Sequence, residues 1–464
     1  MVRPVVRDAG PLPVSFAQQR LWFLDQLEPG SGEYLVRVAL RLSGRLDVVA
    51  LEGALGGLLE RHEVLRSSFR EVDGRPVQVV EPCAVWPLKR VDLRGVGDAA
   101  EAEARVLARE GEEPFDLGSA PLVRALLVTR GPLEHTLLLT MHHIVSDGWS
   151  FGVLTRELGE LYTAWVEGRA PVLPELPVQY ADFALWQRDY LQGPVLEKQL
   201  EFWRSRLDGL GVLELPTDRP RPAVRSGRGA VHGFTLPAEA VRAMRQACRR
   251  EGASAFMVLL AAFQLLLAKY SGQNDITVGT PVANRNRAEI EGLIGFFVNT
   301  LVLRGDLTGD PTASEFIKRV REQALDAYAH QDLPFEKLVE ELHPERDLSR
   351  TPLFQVMFTL QNAAAGTWNL PGVDIEEIPT QTTSAKFDLT LTISEDDDDY
   401  TAHLIYSTDL FDPATVERLA THYTNLLTHL ATATLTAPDT PIGDLPVLTP
   451  EEQHRILTHW NDTT

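Results

Sequence analysis

The sequence predicts an α/β protein built as two lobes, and three observations support that. At 464 residues the chain is longer than the roughly 250–300 residues beyond which a single hydrophobic core stops growing. Segments with apolar residues at helical spacing alternate with short runs of branched residues, the pattern of helices packed on sheets. Two proline clusters, APVLPELPVQY (170–180) and LPTDRPRPAVRSGRG (215–229), lie near mid-chain, where proline removes donors and favours extended backbone. The lobe boundary is expected between them, close to the first. This gives lobes at 1–178 and 179–445, with 446–464 as a connecting tail.

The elements follow in order. Ser15 suits an N-cap for a helix over SFAQQRLWFLDQL, in which Ala17, Leu21, Trp22 and Leu24 recur at helical spacing. VVALEGALGGLLERHEVLRSSF (48–69) repeats that period through Leu51, Leu55, Leu58, Leu59 and Val64, predicting a second amphipathic helix. APLVRALLVTR and HTLLLTMHHIV, with Gly-Pro at 131–132 between them, read as a core strand pair that closes on His142 and His143. WSFGVLTRELGELYTAW then returns to helical spacing, placing 146–150 on a loop that feeds a helix N-terminus. Beyond the prolines, SAFMVLLAAFQLLLAKYSG (254–272) is apolar nearly all round and predicts a buried helix, followed by DITVGTPV as a core strand. IGFFVNTLVLR (294–304) reads as an apolar strand interrupted by Asn299, and DDDD (396–399) as a solvated hairpin tip between KFDLTLTI and YTAHLIYS.

Composition narrows the function. With 44% hydrophobic and 23% charged residues the chain has an ordinary globular make-up, and a net charge of −21 repels phosphate backbones and anionic lipid. Neither a nucleic-acid nor a membrane partner is expected. Cys83 and Cys248 have no zinc-ligand spacing, so no metal site is expected and a reducing cytoplasm fits best. The N-terminus lacks the apolar stretch of a signal peptide.

The chemistry concentrates in MHHIVSDGWS (141–150). Successive strand residues face opposite sides, so His142 and His143 cannot both enter one cavity, and one of them is structural. A histidine ending a buried strand is ordinarily a satisfied core imidazole, but the surrounding residues point further. Asp147 can fix the local backbone through its side chain, Gly148 leaves an opening beside the imidazole and tolerates unusual conformations, and the following helix points amide dipoles at the same spot. No G-x-S-x-G elbow, P-loop, dinucleotide fingerprint or H-E-x-x-H is present, so direct transfer of an acyl group to a nucleophile brought by the substrate is expected.

HHxxxDG is shared by acyltransferases of the chloramphenicol acetyltransferase-like superfamily. The chain more specifically resembles the condensation domains of non-ribosomal peptide synthetases. It carries, in order, SFAQQRLWFL (15–24), RHEVLRSSF (61–69), MHHIVSDGWS (141–150), YADFALW (180–186), IGFFVNTLVLR (294–304), HQDLPFEKLV (330–339) and RDLSRTPLFQVMF (346–358). The resemblance implies two acetyltransferase-like α/β sandwich lobes in a V-shaped pseudo-dimer with a central tunnel. Phosphopantetheine arms delivered by an upstream donor and a downstream acceptor carrier protein would enter that tunnel, with no cofactor bound covalently to this chain. An adenylation domain is implied after the tail, and the excised domain is expected to be a monomer.

The same resemblance makes His143 the catalytic residue and His142 a buried structural one. It makes Asp147 structural, paired with an arginine for which Arg61 or Arg66 is favoured and Arg285 is the weaker choice. Gly148 accompanies them, and Trp149, Ser150, Asn299 and Ser384 are candidates to line the substrate-arm path. The implied reaction is attack of a carrier-bound aminoacyl amine on the thioester of an upstream carrier, with His143 as base or as positioning group. Trp22, Leu24, Trp186 and Phe358 read as core. Arg346, Asp347 and Arg350 read as a surface ion-pair network or a functional loop. The stretch DGWSFGVL differs from the DGVSWRIL type of epimerisation domains, and the histidine pair differs from the aspartates of heterocyclisation domains. A non-catalytic carrier-docking domain and a free-standing coenzyme A-dependent acyltransferase are the alternatives.

Overall fold

The structure is a computed structural model that describes all residues except 8–9, 83–84, 343–346, 348, 362–367, 379–383, 397–398 and 460–464. Cys83 and Arg346 therefore lie outside the described residues. The chain divides into two compact units: Met1–Glu197 with Ala283–Asn299 and Ala363–Gln381, and Lys198–Val282 with Thr300–Asn362 and Thr382–Thr464. The boundary expected after 178 thus moves to 197/198, still between the two proline clusters, and two later segments return to the first unit. Packing explains the shift. Tyr180, Phe183 and Ala184 are buried in the same core as Leu58 and Val145, together with Ile290, Leu293, Ile294 and Phe297 from the first returning segment.

The first unit contains β1 (Leu12–Pro13), α1 (Phe16–Leu27), β2 (Leu35–Gly44), α2 (Val48–Arg61), β3 (Ser67–Val72), β4 (Arg75–Val80), β5 (Leu88–Asp92), α3 (Ala99–Glu112), β6 (Val123–Gly131), β7 (Glu134–His142), α4 (Gly148–Glu167) and α5 (Tyr180–Tyr190), and the division falls within α6 (Gly193–Arg206). The second unit adds β8 (Gly229–Thr235), α7 (Ala238–Glu251), α8 (Ala255–Ser271) and β9 (Asp275–Val282). The chain then re-enters the first unit for α9 (Ala288–Glu291). It continues through β10 (Asn299–Asp306), α10 (Ala313–Ala329), α11 (Phe335–Leu342) and β11 (Val356–Gln361), re-enters the first unit for β12 (Val373–Ile378), and ends with β13 (Leu389–Asp396), β14 (Asp399–Ser407), α12 (Pro413–Thr436) and α13 (Pro450–His454).

In the first unit a five-stranded sheet runs β12-β2-β7-β6-β5, antiparallel except for the β5–β6 pair, beside a small β1-β4-β3 sheet. β7 is buried along almost its whole length because both of its faces are covered. Leu137, Leu139 and Met141 share one core with Leu55 of α2 and Leu154 of α4. Leu138, one residue out of step, packs with Ala39, Leu126 and Val128, against which Ala102 and Val106 of α3 lie. The pleat puts alternate residues on opposite faces, and each face has its own helices.

The second unit holds a six-stranded sheet ordered β10-β9-β11-β13-β14-β8. β11 runs parallel to β9 and β13, whereas β13–β14 and β14–β8 are antiparallel. The expected hairpin strands are these β13 and β14, although 397–398 between them lie outside the described residues. α8, continuously buried from Met257 to Ala268, is the apolar helix that the sequence predicts. Among the described residues no single helix is long and apolar enough to cross a membrane. The tail is anchored in this unit: Glu452 of α13 lies 2.8 Å from His422 Nε2, and Asn425 donates to the Val447 carbonyl at 3.2 Å. Arg350 pairs with Glu214 at 3.0 Å and with Asp347 at 3.6 Å.

Two element predictions are corrected. The helix expected over 48–69 stops at Arg61, because His62 leaves helical geometry (φ −108°, ψ 101°); a short 3₁₀ turn, Glu63–Arg66, then leads into β3. The strand expected over 294–304 begins only at Asn299, because side chains of α4 and α5 take the backbone groups of 295–297.

Candidate active site

The histidine pair marks where the sheet ends. His142 is the last residue of β7, paired with Leu35, and only 4% exposed. Its Nδ1 accepts the Ile144 amide at 3.1 Å, so in the neutral ring the proton sits on Nε2. His143 has already left the sheet and opens a 3₁₀ turn, His143–Val145. That turn, more than the strand pleat, separates the two rings. The half-buried His143 lies 2.7 Å through Nδ1 from the Ser146 carbonyl. A carbonyl only accepts, so Nδ1 carries a proton and, in the neutral ring, Nε2 is the acceptor nitrogen. As neutral rings, the two adjacent histidines are thus opposite tautomers.

Two supports fix this turn. Ser15 and Gln18 form a capping box at the start of α1, and the buried Gln18 amide donates to the Ile144 carbonyl at 3.2 Å. Asp147, 2% exposed, caps α4: Oδ1 accepts from the Ser150 amide at 2.9 Å and from its hydroxyl at 2.7 Å. The same Oδ1 meets Arg285 Nη2 at 3.1 Å, while Oδ2 accepts the Phe297 amide at 2.9 Å.

Arg285 is therefore the partner of Asp147, which corrects the preference for Arg61 or Arg66. The 283–299 segment belongs to the same unit and delivers Arg285 with its Nη1 on the carbonyls of Ile290 at 2.9 Å and Leu293 at 2.6 Å, its plane over the Phe297 ring at 4.1 Å. Burial pulls this guanidinium below its ordinary pKa, and Asp147 opposes that pull. The two favoured arginines have other partners. Arg61 pairs with Glu157 at 3.1 Å and reaches the Pro174 carbonyl; Arg66 binds the carbonyls of Leu59 at 3.2 Å and of Glu81.

The remaining candidates separate. Gly148 is exposed with an ordinary φ, so its conformational freedom is not used, yet a Cβ there would meet nothing within 4 Å. Trp149 is 39% exposed and anchored by its indole N–H on the Glu291 carbonyl at 3.0 Å. Ser150, expected to line the substrate path, is 1% exposed and belongs to the Asp147–Arg285 network. Asn299 starts β10 and is buried. Ser384 belongs to the second unit, exposed and bridged through its backbone to Arg228, so the first unit does not bring it to His143. The expected oxyanion support from α4 is also revised, since the Asp147 carboxylate already occupies the helix N-terminus.

Sequence reasoning singles out neither the Phe296 ring, edge-on to the His143 ring with centroids 4.9 Å apart, nor Gln18 and Tyr180 behind the site. Their only sequence signal is membership of the first, fourth and fifth motifs. Trp22, Leu24 and Trp186 are partly buried against the first unit's core and Phe358 is fully buried, as expected; Trp186 also carries the Arg287 guanidinium 4.2 Å over its ring.

With this geometry in place, comparison with known proteins is informative. The family model described as "Condensation domain" matches residues 8–457. One of the linear gramicidin synthase proteins of Brevibacillus parabrevis is 53% identical over 99% of this chain, which spans 6% of that protein. Phosphinothricin tripeptide synthetase PhsC of Streptomyces viridochromogenes is 43% identical over 96% of this chain, spanning 41% of it. The chain thus covers less than half the length of these relatives. Among solved structures, the X-domain from teicoplanin biosynthesis superposes with a TM-score of 0.86 at 32% identity, covering 97% of this chain and 100% of the X-domain. The first condensation domain of the CDA synthetase shares the fold, with a TM-score of 0.78 at 22% identity over 95% of this chain and 100% of its own.

Proposed function

Because the chain belongs to the condensation-domain family of non-ribosomal peptide synthetases, we propose that it forms a peptide bond between two carrier-bound thioesters, with His143 receiving the attacking amine. The observation that carries this reading is the tautomer: Nδ1 donates to the Ser146 carbonyl, which leaves Nε2 of a half-buried ring as a hydrogen-bond acceptor. The amine nitrogen of the downstream aminoacyl thioester attacks the upstream thioester carbonyl. A C–N bond forms, the C–S bond breaks, and the amine proton lost on attack balances the departing thiolate, giving an amide and a thiol. An α-amino group titrates near 7.7–8.0, so a useful fraction is neutral without a strong base. His143 then acts by accepting an N–H hydrogen bond that aims the lone pair, a proximity effect that a half-buried, tautomer-fixed imidazole supplies.

Phosphopantetheine arms would arrive on an upstream donor carrier and a downstream acceptor carrier, and an adenylation domain would follow the tail, in keeping with the multidomain relatives. Asn299 and Ser384 remain candidates to contact those arms. We place the domain in the cytoplasm, and as an excised piece it would be a monomer.

The test is intact-protein mass spectrometry of amide formation between two separately loaded carriers, comparing wild type with His143→Ala at matched melting temperature. A folded variant slower by tenfold or more supports the reading; equal rates reject His143 as a participant. A second reading, a module that only binds partners, is favoured by the likeness to the teicoplanin X-domain, which has also been seen in complex with OxyB. Absence of product from wild type with every carrier pair would favour it.

A further inference from the structure

One peptide unit beside the imidazole is held at both ends. The Phe296 carbonyl accepts the Tyr180 hydroxyl at 2.5 Å, and the amide of the same peptide, Phe297 N–H, donates to Asp147 Oδ2 at 2.9 Å. The preceding amide, Gly295 N–H, donates to Ser150 Oγ at 3.0 Å. A peptide unit gripped through its C=O and its N–H is restrained against rotation about its flanking bonds, which sets where the Cα–Cβ bonds of Phe296 and Phe297 leave the backbone; packing then places the rings. One is the Phe297 ring, packed on Tyr180 and Phe183 at 4.7 Å each and under Arg285. The other is the Phe296 ring, set at 63° to the His143 ring.

The Tyr180 end of the grip leads back to the turn that carries His143. Because the Tyr180 O–H donates to a carbonyl, its oxygen accepts from Ser15 Oγ at 2.9 Å; Ser15 Oγ in turn accepts the Gln18 amide at 3.1 Å. Gln18 returns a bond to the Ser15 amide at 3.1 Å and spends its other side-chain end on the Ile144 carbonyl, one residue past His143. One capping box therefore braces the backbone under the imidazole and, through Tyr180, the ring against its side.

We propose that Tyr180 is a positioning residue for His143: through the Phe296 carbonyl it holds the Phe296 ring against the imidazole, and so sets the direction of Nε2. As a role in catalysis this rests on the amide-forming reading; as a statement about the imidazole it does not. Tyr180 is itself 1% exposed.

The experiment pairs two measurements on Tyr180→Phe, Phe296→Leu and Phe296→Tyr, with Tyr400→Phe, another buried phenol far from the motif in sequence, as control. Imidazole proton shifts of His143 in histidine-labelled protein report the ring current of Phe296 without substrate, and steady-state amide formation reports kcat and KM. Tyr180→Phe and Phe296→Leu are expected to move the His143 signals and lower kcat three- to tenfold with KM for the loaded acceptor carrier unchanged, an effect of orientation. Phe296→Tyr should restore both readouts, and Tyr400→Phe should change neither. If Tyr180→Phe lowers the melting temperature yet leaves the His143 signals and kcat at wild-type values, Tyr180 is structural and the proposal fails, whatever Phe296→Leu does. If wild type forms no amide at all, the function reading fails separately, and the imidazole signals still decide whether Tyr180 positions the ring.

Discussion

His143 and His62 are two imidazoles of the same unit with opposite fates. His62 is 1% exposed: its Nε2 lies 2.7 Å from Glu157 Oε2, and its Nδ1 accepts the Ile294 amide at 3.4 Å. Both nitrogens are committed to buried protein groups, and the ring fastens the end of α2 to α4 and to the 283–299 segment. His143 commits Nδ1 to the backbone of its own turn and keeps its ring half-buried beside Phe296. The difference teaches that the partners of a histidine are set by which elements reach its ring, from α4 and the 283–299 segment at His62 and from its own turn at His143; its neighbours in sequence, RHE in one case and HHI in the other, do not decide it.

The largest effect expected comes from the buried Asp147–Arg285 ion pair of the same unit. Asp147→Asn would leave Arg285, whose side chain is 1% exposed, as a buried cation without its counter-charge, a loss of about 3–5 kcal/mol. Denaturant unfolding should show it, with poor solubility before any specific loss of rate; a variant that melts like wild type would mean that the carbonyls of Ile290 and Leu293 suffice to hold Arg285. Next come the histidines themselves. His62→Ala should cost about 1–3 kcal/mol of stability by stripping Glu157 of a buried donor, with kcat per folded molecule unchanged. His143→Ala should do the reverse: near-wild-type melting and at least a tenfold fall in kcat, or about 1.4 kcal/mol. If both variants lose stability alike, the contrast between the two sites collapses.

Much of this is legible in the sequence because local signals and global packing agree there. Ser15 reads as an N-cap and is one, the period of 254–272 predicts a helix buried all round, and the continuous burial of β7 follows from a sheet covered by helices on both faces. What is not legible depends on contacts distant in sequence. Arg285 is 138 residues from Asp147, and nothing in NRNR distinguishes a buried arginine from a solvated one. Ser150 looks like a loop hydroxyl until the 283–299 segment closes over it. Residues 294–298 read as the start of a strand because they are apolar, but the backbone bonds of 295–297 go to Asp147, Ser150 and Tyr180, which hydrophobic periodicity cannot reveal.

An effect that depends on pH is expected at the buried Glu157, which Arg61 and His62 face and whose loss leaves both without their carboxylate partner. Burial raises its pKa, and the bonds and charges of His62 and Arg61 reverse this to leave the carboxyl below its ordinary value of 4.5. A depressed carboxyl stabilises the fold above its unfolded pKa, and that contribution fades as pH falls through the folded value. The melting-temperature gap between wild type and Glu157→Gln should therefore hold from pH 8 to about 5 and narrow below that. A gap that is constant into strong acid would mean that shape and hydrogen bonding, and not charge, hold His62.

The smallest energetic effect is expected at Gly148, where it separates folding from function most cleanly. The residue opens α4 with an ordinary φ, and a methyl group at its Cβ would touch nothing within 4 Å. Gly148→Ala should leave the melting temperature unchanged or raise it slightly, because alanine has fewer unfolded conformations to lose, worth about 0.4–1 kcal/mol. The fold thus makes room for a methyl group at Gly148, and on the proposed reading a fall in amide formation by this variant would point to the methyl group meeting a bound substrate. A rise in KM for one loaded carrier and not the other would say which substrate passes there. Unchanged kinetics with both carriers would show that the space beside Gly148 lies off the substrate's path, and would leave His143 and Phe296 to define it.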